Sequence, residues 1–328
     1  MPLESVAVIG GGAWGTALAQ AVAMAGRSVT LIMRNAEQAA AINAGRINQA
    51  ALPGQVLLPG VTAAGAFSGA DIVILAVPAQ ATRTLLSGLD PALLAGRPIV
   101  LSAKGLETGT LARQSEILAD MAPEAVPYVL SGPSFAADVA AGRPTAVTLA
   151  GDDASDTSAL AAALAGPTFR PYAADDRVGV EIAGALKNVY ALACGAVEGA
   201  HLGASARAAL IARGYAEMAR MVTAMGGSAH TLTGLAGLGD LTLTCTSVQS
   251  RNYQFGMALG AGRRTEDILA GGSRLAEGVA TAPVAAALAK SLAVEAPLIE
   301  AVDAVIAGQA DIAEIVAGLM SRPLKRED

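Results

Sequence analysis

The chain has 328 residues and a formal net charge of −6, with 53% hydrophobic and 15% charged residues. A chain of this length is expected to form two domains, and its apolar content excludes disorder. Its acidic balance excludes a general attraction to nucleic acid or anionic membranes, so a phosphate-bearing ligand has to be met by local positive groups.

The first half of the chain alternates short apolar runs with helical stretches. Strands are predicted over residues 5–10, 28–33, 71–77, 98–103, 127–130 and 145–150, and a helix over 16–25. Valine-, isoleucine- and leucine-rich strands separated by helices are typical of a parallel sheet covered on both faces. Residues 43–60 form a long loop, which we expect to be functional or mobile.

The pattern changes after Asp175 and Asp176, a pair that suits a helix N-cap. Long alanine- and leucine-rich stretches then predict helices over 180–197, 205–225, 280–291 and 297–307. We therefore predict an α/β domain over residues 1–178 and an all-helical domain over 179–328, with a frayed, charged tail over 321–328.

Three glycines follow the first predicted strand with the spacing of a dinucleotide-binding loop. Gly10 permits a tight turn, Gly12 leaves room for a pyrophosphate, and Gly15 lets the helix pack closely on the strand. Because they leave a strand and open a helix, they indicate a Rossmann-type doubly wound sheet, although an ordinary glycine-rich turn is the alternative.

The second strand ends at Arg34, where NAD-specific sites usually carry an acidic residue. An arginine here could stack on adenine and meet a 2′-phosphate, so NADPH is the expected cofactor, with NADH possible. The alternative is an exposed arginine at a strand end.

Two lysines stand out because the chain has only four among its 22 basic residues. Lys104 follows a predicted strand at the sheet edge where such folds bind ligands. Lys187 lies within an otherwise apolar helix, where burial and a second lysine would lower its pKa and suit it to deliver a proton. The alternative for Lys187 is a side chain that reaches water from a helix edge.

Residues 234–252 combine glycines, an aspartate, hydroxyls and an Arg251-Asn252 pair. Arginine matches phosphate geometry and asparagine adds donors, so the stretch resembles an oxyanion-binding loop. A glycine-rich connection between helices is the alternative.

Cysteines and histidines are too scattered for a metal site, and none is expected. Cys194 and Cys245 suit a reducing compartment, while His201 and His230 are interpreted as structural or surface residues. The N-terminus shows no signal-peptide pattern, and glycine, proline or charged residues interrupt the apolar stretches before they reach membrane-spanning length. A cytoplasmic protein without membrane insertion is therefore expected.

Taken in order, the motifs resemble the bacterial NAD(P)-dependent glycerol-3-phosphate dehydrogenase family over nearly the whole chain. The matching segments are residues 8–18, 52–54, 76–78, 103–107, 131–136, 184–188, 237–240, 245–247, 250–252 and 276–279. The chain departs from the family pattern at Ala51, where an aromatic residue is usual beside Leu52, and at Asp138, where glutamate is common.

The resemblance implies reversible reduction of dihydroxyacetone phosphate to sn-glycerol 3-phosphate, which supplies phospholipid synthesis, with Lys187 as the proton donor or acceptor. Asn188 and Asp240 are expected to orient Lys187, and Arg251 and Asn252 to anchor the phosphate. The implied substrate residues are Lys104, Gly132, Ser134, Lys187, Asn188, Asp240, Ser250, Arg251 and Asn252. The cofactor residues, from the glycine loop and the resemblance, are Gly10, Gly12, Ala13, Trp14, Gly15, Arg34, Lys104, Ala136, Arg251, Leu275 and Glu277.

Two rival functions remain open: a β-hydroxyacid dehydrogenase, whose substrate carries a carboxylate, and a regulator that senses NAD(P)H without turnover. A phosphorylated triose is the expected small-molecule partner, and a homodimer is compatible with the apolar helical domain.

Overall fold

The computed structural model describes residues 3–271 and 276–321. Its first half is built on an eight-stranded sheet with the strand order β3-β2-β1-β4-β5-β6-β7-β8. The strands are β1 Ser5–Ile9, β2 Ser28–Ile32, β3 Val61–Ala64, β4 Ile72–Leu75, β5 Pro98–Leu101, β6 Val126–Ser131, β7 Thr145–Ala150 and β8 Phe169–Ala174. The six predicted strands are confirmed, each with ends within two residues of the prediction.

The direction of the chain connections reverses between β1 and β4, which are parallel neighbours in the middle of the sheet. In an open α/β sheet this switch opens a crevice beyond the carboxyl ends of the two strands. The expectation of a wholly parallel sheet is wrong at one place: β7 runs antiparallel to β6, and β8 continues parallel to β7.

Two strands were not expected, β3 and β8, and both lie at the edges of the sheet. β3 is only four residues long and is interrupted by Thr62, and β8 carries Arg170 and Pro171. An edge strand needs one paired side and tolerates proline, so the continuous apolar run that marks a central strand is missing from both.

Helices flank the sheet and build the whole second half of the described chain. They are α1 Ala13–Met24, α2 Ala36–Gly45, α3 Thr82–Ser87, α4 Gln114–Met121, α5 Ala136–Ala140, α6 Ala154–Leu164, α7 Arg177–Gly199, α8 Ala204–Ala224, α9 Asp240–Thr246, α10 Arg251–Gly260, α11 Thr265–Ala270, α12 Glu277–Ser291, α13 Pro297–Ile306 and α14 Ile312–Met320. The four long helices predicted after the Asp pair are confirmed as α7, α8, α12 and α13. A helical turn at Leu235–Gly239, helix α9 and the start of α10 together replace most of the expected loop over 234–252. The predicted tail falls almost entirely outside the described residues.

Helix α7 is the centre of the helical half and carries Lys187. It begins where predicted, because the Asp176 side chain caps it by accepting from the Gly179 N–H at 2.8 Å. The expectation that no stretch reaches membrane-spanning length is wrong for α7, which is long and apolar enough by composition. Its most apolar window is 94% buried inside the protein, as in the core helix of a soluble protein.

Glycines bring α7 and α10 into close contact. A Cβ on Gly195 would lie 2.1 Å from the Tyr253 carbonyl oxygen, and a Cβ on Gly256 would lie 2.1 Å from that of Leu192. The backbones can therefore approach only because both positions lack a side chain, and this contact sets how close the polar residues at the start of α10 come to α7.

The expected loop over 43–60 is shorter than predicted, since α2 continues through Gly45. Arg46 ends the helix at a φ of 57°, and its guanidinium donates to the Leu57 and Val61 carbonyls. A bridge pairs Ile47 with Val56. We call residues 46–58 the strap, because this segment lies hydrogen-bonded beside α1.

Candidate active site

A cleft of about 520 Å³ lies between the carboxyl edge of the sheet and the helical half. Its walls gather most of the predicted site residues, from segments more than two hundred positions apart. Those lining the cleft are Gly12, Ala13, Trp14, Lys104, Ser134, Ala136, Lys187, Asn188, Asp240, Ser250, Arg251, Asn252 and Glu277. Gly10, Gly15, Gly132 and Arg34 are not part of this lining, and Leu275 falls outside the described residues.

The glycine loop has the geometry of a phosphate cradle. Gly10 adopts a φ of +125°, and a Cβ on Gly15 would lie 1.9 Å from the Gly10 carbonyl oxygen, so the helix sits directly against the strand end. At Gly12 an added Cβ would meet no atom within 4 Å. The loop therefore leaves open space at the start of α1, where backbone N–H groups and the helix dipole attract a pyrophosphate.

Trp14 and Ala136 contribute apolar side chains to the lining of the same cleft. The indole of Trp14 has its Nε1 buried without a hydrogen-bond partner in the described part of the chain. A buried polar atom in this condition is uncommon, since such atoms normally find a partner. The open space at Gly12 is the observation here that fits a bound dinucleotide.

Lys187 lies at the centre of a buried charged cluster. Its ammonium donates to Asp240 Oδ1 at 2.5 Å and to Thr244 Oγ1 at 2.8 Å. Lys104 donates to the other oxygen of the same carboxylate, Asp240 Oδ2, at 2.7 Å. Lys187 is 7% exposed and Asp240 1% exposed, so two positive charges share one buried negative charge.

The surroundings make Lys187 less basic than an ordinary lysine. Burial lowers the pKa of Lys187 to about 8, the charge of Lys104 acts in the same direction, and Asp240 opposes both. Burial works to raise the pKa of Asp240, but the two lysines outweigh it and hold that carboxyl below its usual pKa. The cluster thus keeps a charged carboxylate next to an amine that can give up its proton near neutral pH.

Asn188 and Asn252 form a chain of hydrogen bonds across the site. The Asn188 Nδ2 donates to the Lys104 carbonyl at 2.9 Å, and its Oδ1 accepts from Asn252 Nδ2 at 2.8 Å. Asn252 Oδ1 accepts from the Gly278 N–H at 2.9 Å. The expectation that Asn188 orients Lys187 needs correction, because its amide instead links Lys104, in the segment after β5, to Asn252 at the start of α10.

The N-terminus of α10 opens into the cleft at Ser250 and Arg251. Ser250 is the N-cap, and its hydroxyl accepts from the Tyr253 N–H at 3.2 Å. Arg251, the first residue of the helix, has an exposed side chain in the cleft lining. The N-terminus of a ten-residue helix and a guanidinium have the charge and the donors that can bind a dianionic phosphate.

Gly132 connects Lys104 and Ser134 through its backbone carbonyl. The Gly132 carbonyl accepts from the Lys104 ammonium at 3.1 Å and from the Ser134 hydroxyl at 2.9 Å. Gly132 adopts a φ of +147°, and a Cβ there would lie 2.8 Å from the Val147 Cα. Gly132 therefore supports Lys104 through its backbone.

Arg34 and Glu277 are two charged residues of the predicted cofactor set. Arg34 is exposed just after β2, whose carboxyl end lies level with that of β1. Glu277 begins α12 half-buried in the cleft wall, where burial raises the pKa of its carboxyl against the opposing charge of Arg251.

Two residues that were not predicted as site residues contact the predicted site. Thr244 accepts a hydrogen bond from Lys187, and Asn48 donates one to the Gly11 carbonyl in the glycine loop. Thr244 stands four residues after Asp240, a spacing that puts both on one helix face, but the helix itself was not expected. Asn48 lies in the strap, where no periodic pattern singles it out. His201 and His230 are both exposed, which agrees with their interpretation as surface residues.

Comparison with known proteins matches nearly the whole length of the chain to one family of dehydrogenases. Residues 5–157 match the family model for the NAD-dependent glycerol-3-phosphate dehydrogenase N-terminus, and residues 176–317 match that for the C-terminus. The chain belongs to the NAD-dependent glycerol-3-phosphate dehydrogenase family.

Individual relatives agree with the family models. The chain is 50% identical to the Caulobacter vibrioides protein named glycerol-3-phosphate dehydrogenase (NAD(P)+), with 100% of both chains covered. It is 51% identical to the Rhodospirillum rubrum protein of the same name, over 99% of this chain and 94% of that one. The crystal structure of glycerol-3-phosphate dehydrogenase from Coxiella burnetii superposes with a TM-score of 0.92 at 37% identity, covering 98% of this chain and 100% of that one.

Proposed function

We propose that this protein reversibly reduces dihydroxyacetone phosphate to sn-glycerol 3-phosphate with NAD(P)H, in the cytoplasm, and so supplies phospholipid synthesis. The observation that carries the proposal is the buried Lys187, paired with Asp240 and Thr244 and set in the same cleft as the glycine loop. A proton donor opposite a dinucleotide cradle is what reduction of a ketone requires.

The glycine loop, Ala13, Trp14, Ala136 and Glu277 would hold the cofactor. When bound there, NAD(P)H supplies the hydride that reduces the substrate carbonyl carbon. Arg34 lies where the adenosine ribose of such a cofactor is held in this fold, and its guanidinium suits a 2′-phosphate, so NADPH is the favoured form.

Lys187 supplies the proton to the oxygen that becomes the new hydroxyl. An ammonium has three N–H groups, and two of them bond to Asp240 and Thr244, which leaves one for the substrate. Its positive charge also stabilises the oxyanion that develops during reduction, and Lys104 adds a second charge nearby. In the reverse direction the neutral amine accepts the hydroxyl proton.

The phosphate of the substrate is assigned to the N-terminus of α10 and the guanidinium of Arg251. Asn252 can contribute the second N–H of its amide, since the first is used by Asn188. Holding the phosphate away from the reacting carbon orients the carbonyl toward Lys187, so this contact serves turnover as well as affinity.

The test is a matched assay of NADPH oxidation with two kinds of substrate. The purified protein should oxidise NADPH when dihydroxyacetone phosphate is added, and should be inactive with a β-keto acid of similar size. Turnover of the carboxylate substrate alone would favour the β-hydroxyacid dehydrogenase alternative. NADPH binding without turnover of either substrate would favour the sensor.

A further inference from the structure

Asn48 lies in the strap, outside the cleft lining, yet it is among the most buried polar residues of the described chain at 1% exposed. Its Nδ2 donates to the Gly11 carbonyl oxygen at 2.9 Å and to the Thr16 hydroxyl at 2.8 Å. Its Oδ1 accepts from Gln38 Nε2 at 3.0 Å. Both N–H groups and the carbonyl of this amide are thus in use, which fixes its orientation.

The hydrogen bond to the Gly11 carbonyl also determines the direction of the N–H of the next residue, Gly12. A peptide unit is planar and trans, so the carbonyl of Gly11 and the N–H of Gly12 point in opposite directions. Because Asn48 holds the carbonyl on its own side, the Gly12 N–H is held facing away from Asn48. Gly12 itself lines the cleft beside open space.

The strap is fastened to α1 at a second point, one helical turn along. Gln20, which is 3% exposed, donates from Nε2 to the Val56 carbonyl at 3.3 Å and accepts from the Leu58 N–H at 2.9 Å. Thr16 and Gln20 lie on one face of α1, so both ends of the strap are hydrogen-bonded to this face. The Asn48 backbone carbonyl also accepts from the Leu52 N–H at 2.9 Å, and Leu52 reaches the cleft lining.

We propose that Asn48 is a positioning residue for the cofactor: its amide sets the Gly11–Gly12 peptide so that the Gly12 N–H is presented to the pyrophosphate. The proposal rests on the proposed function only in assuming that the glycine loop binds NAD(P)H. It assigns a role in binding to the strap, which carries none of the expected cofactor residues.

The experiment is the substitution Asn48→Asp, which keeps the shape of the side chain and removes both donors. The Gly11 carbonyl then faces a carboxylate, and its peptide is free to turn. We expect the dissociation constant of NADPH to rise about ten-fold or more, with the KM for dihydroxyacetone phosphate within about two-fold of the parent protein. Trp14 is the only tryptophan and lines the cleft, so its fluorescence on titration with NADPH reports binding without turnover.

Asn43→Asp is the matched control. Asn43 donates to the Ala63 carbonyl at 2.9 Å and accepts from the Ala63 N–H at 2.8 Å, so the change removes a donor near the strap without touching the glycine loop. The control should leave the NADPH dissociation constant unchanged even if the thermal midpoint falls. An equal loss of NADPH affinity in both variants would show a general loosening and overturn the proposal.

Gln38→Met keeps the proposal testable if Asn48→Asp does not fold. It removes only the donor that orients Asn48, so we expect a rise of about three-fold in the same dissociation constant. If Asn48→Asp folds and its NADPH affinity is unchanged, the role of Asn48 is overturned and the proposed function is not. If only Gln38→Met folds, unchanged affinity in that variant has the same consequence. Failure of the parent protein to bind NADPH overturns the proposed function together with it.

Discussion

The Lys187 ammonium and the Asp240 carboxylate meet at 2.5 Å in a site where both side chains are almost fully buried. The same carboxylate also holds Lys104, so removing any one of the three groups changes the charge felt by the other two. The predictions on catalysis follow from this sharing.

Lys187→Ala should lower kcat by about a thousand-fold, because it removes both the proton donor and a charge that stabilises the oxyanion. NADPH binding, followed by Trp14 fluorescence, should persist. Lys290→Ala, which removes an exposed lysine on α12, is the control and should retain full activity. Near-normal turnover in Lys187→Ala would remove this lysine from the mechanism.

Ketone reduction should slow as the pH rises through about 8. Reduction needs Lys187 protonated, and burial lowers the pKa of that group to about 8, so activity is present below this pH and lost above it. Oxidation of glycerol 3-phosphate needs the neutral amine and should show the opposite trend. The measurement is kcat/KM against pH in both directions, and a flat profile for reduction across this range would contradict the assignment.

Two substitutions should move that profile in opposite directions. Asp240→Asn removes the attractive charge, so the pKa of Lys187 falls and the loss of reduction begins at lower pH. Lys104→Met removes a repulsive charge, so the pKa of Lys187 rises and the loss begins at higher pH. Both variants will be slower than the parent protein, so the midpoint of the pH profile, rather than the rate, is the measurement. Shifts of the same sign would contradict the shared-carboxylate arrangement.

The residues that sequence reasoning could find are those whose type conflicts with their surroundings. Lys187 stands out as a lysine in an apolar helix, and the glycine loop stands out by its spacing after a strand. Thr244 and Asn48 do not conflict with anything nearby in sequence, and their importance comes from contacts 57 and 32 residues away. Only the folded chain shows those contacts.

The same limit applies to the strands: those marked by their own composition could be predicted, and those that depend on distant contacts could not. The strands in the middle of the sheet, β1, β4 and β5, are mostly valine, isoleucine and leucine and could be predicted, whereas β8 carries an arginine and few such residues, which its edge position permits. The reversed direction of β7 depends on how β6 and β7 are connected and paired, which strand composition does not encode.

Arg34→Asp should lower kcat/KM for NADPH by about a hundred-fold relative to NADH, since a carboxylate would repel a 2′-phosphate and accept hydrogen bonds from ribose hydroxyls. The ratio of the two kcat/KM values is the measurement. Arg264→Asp, a charge reversal at an exposed arginine that is not part of the cleft lining, should leave that ratio unchanged. An unchanged ratio in Arg34→Asp would rule out recognition of the 2′-phosphate by this residue.

Gly256→Ala should destabilise the protein by about 1–3 kcal/mol, because the added methyl group would lie 2.1 Å from the Leu192 carbonyl oxygen and force α10 away from α7. The same displacement would stretch the Asn188–Asn252 hydrogen bond, so the KM for dihydroxyacetone phosphate should also rise. Gly318→Ala is a matched control in α14, where an added Cβ meets no atom within 4 Å, and it should stabilise the protein by about 0.5–1 kcal/mol. Urea unfolding of both variants measures the difference. Equal stability of the two would mean that the α7–α10 contact tolerates a side chain and does not control the geometry of the site.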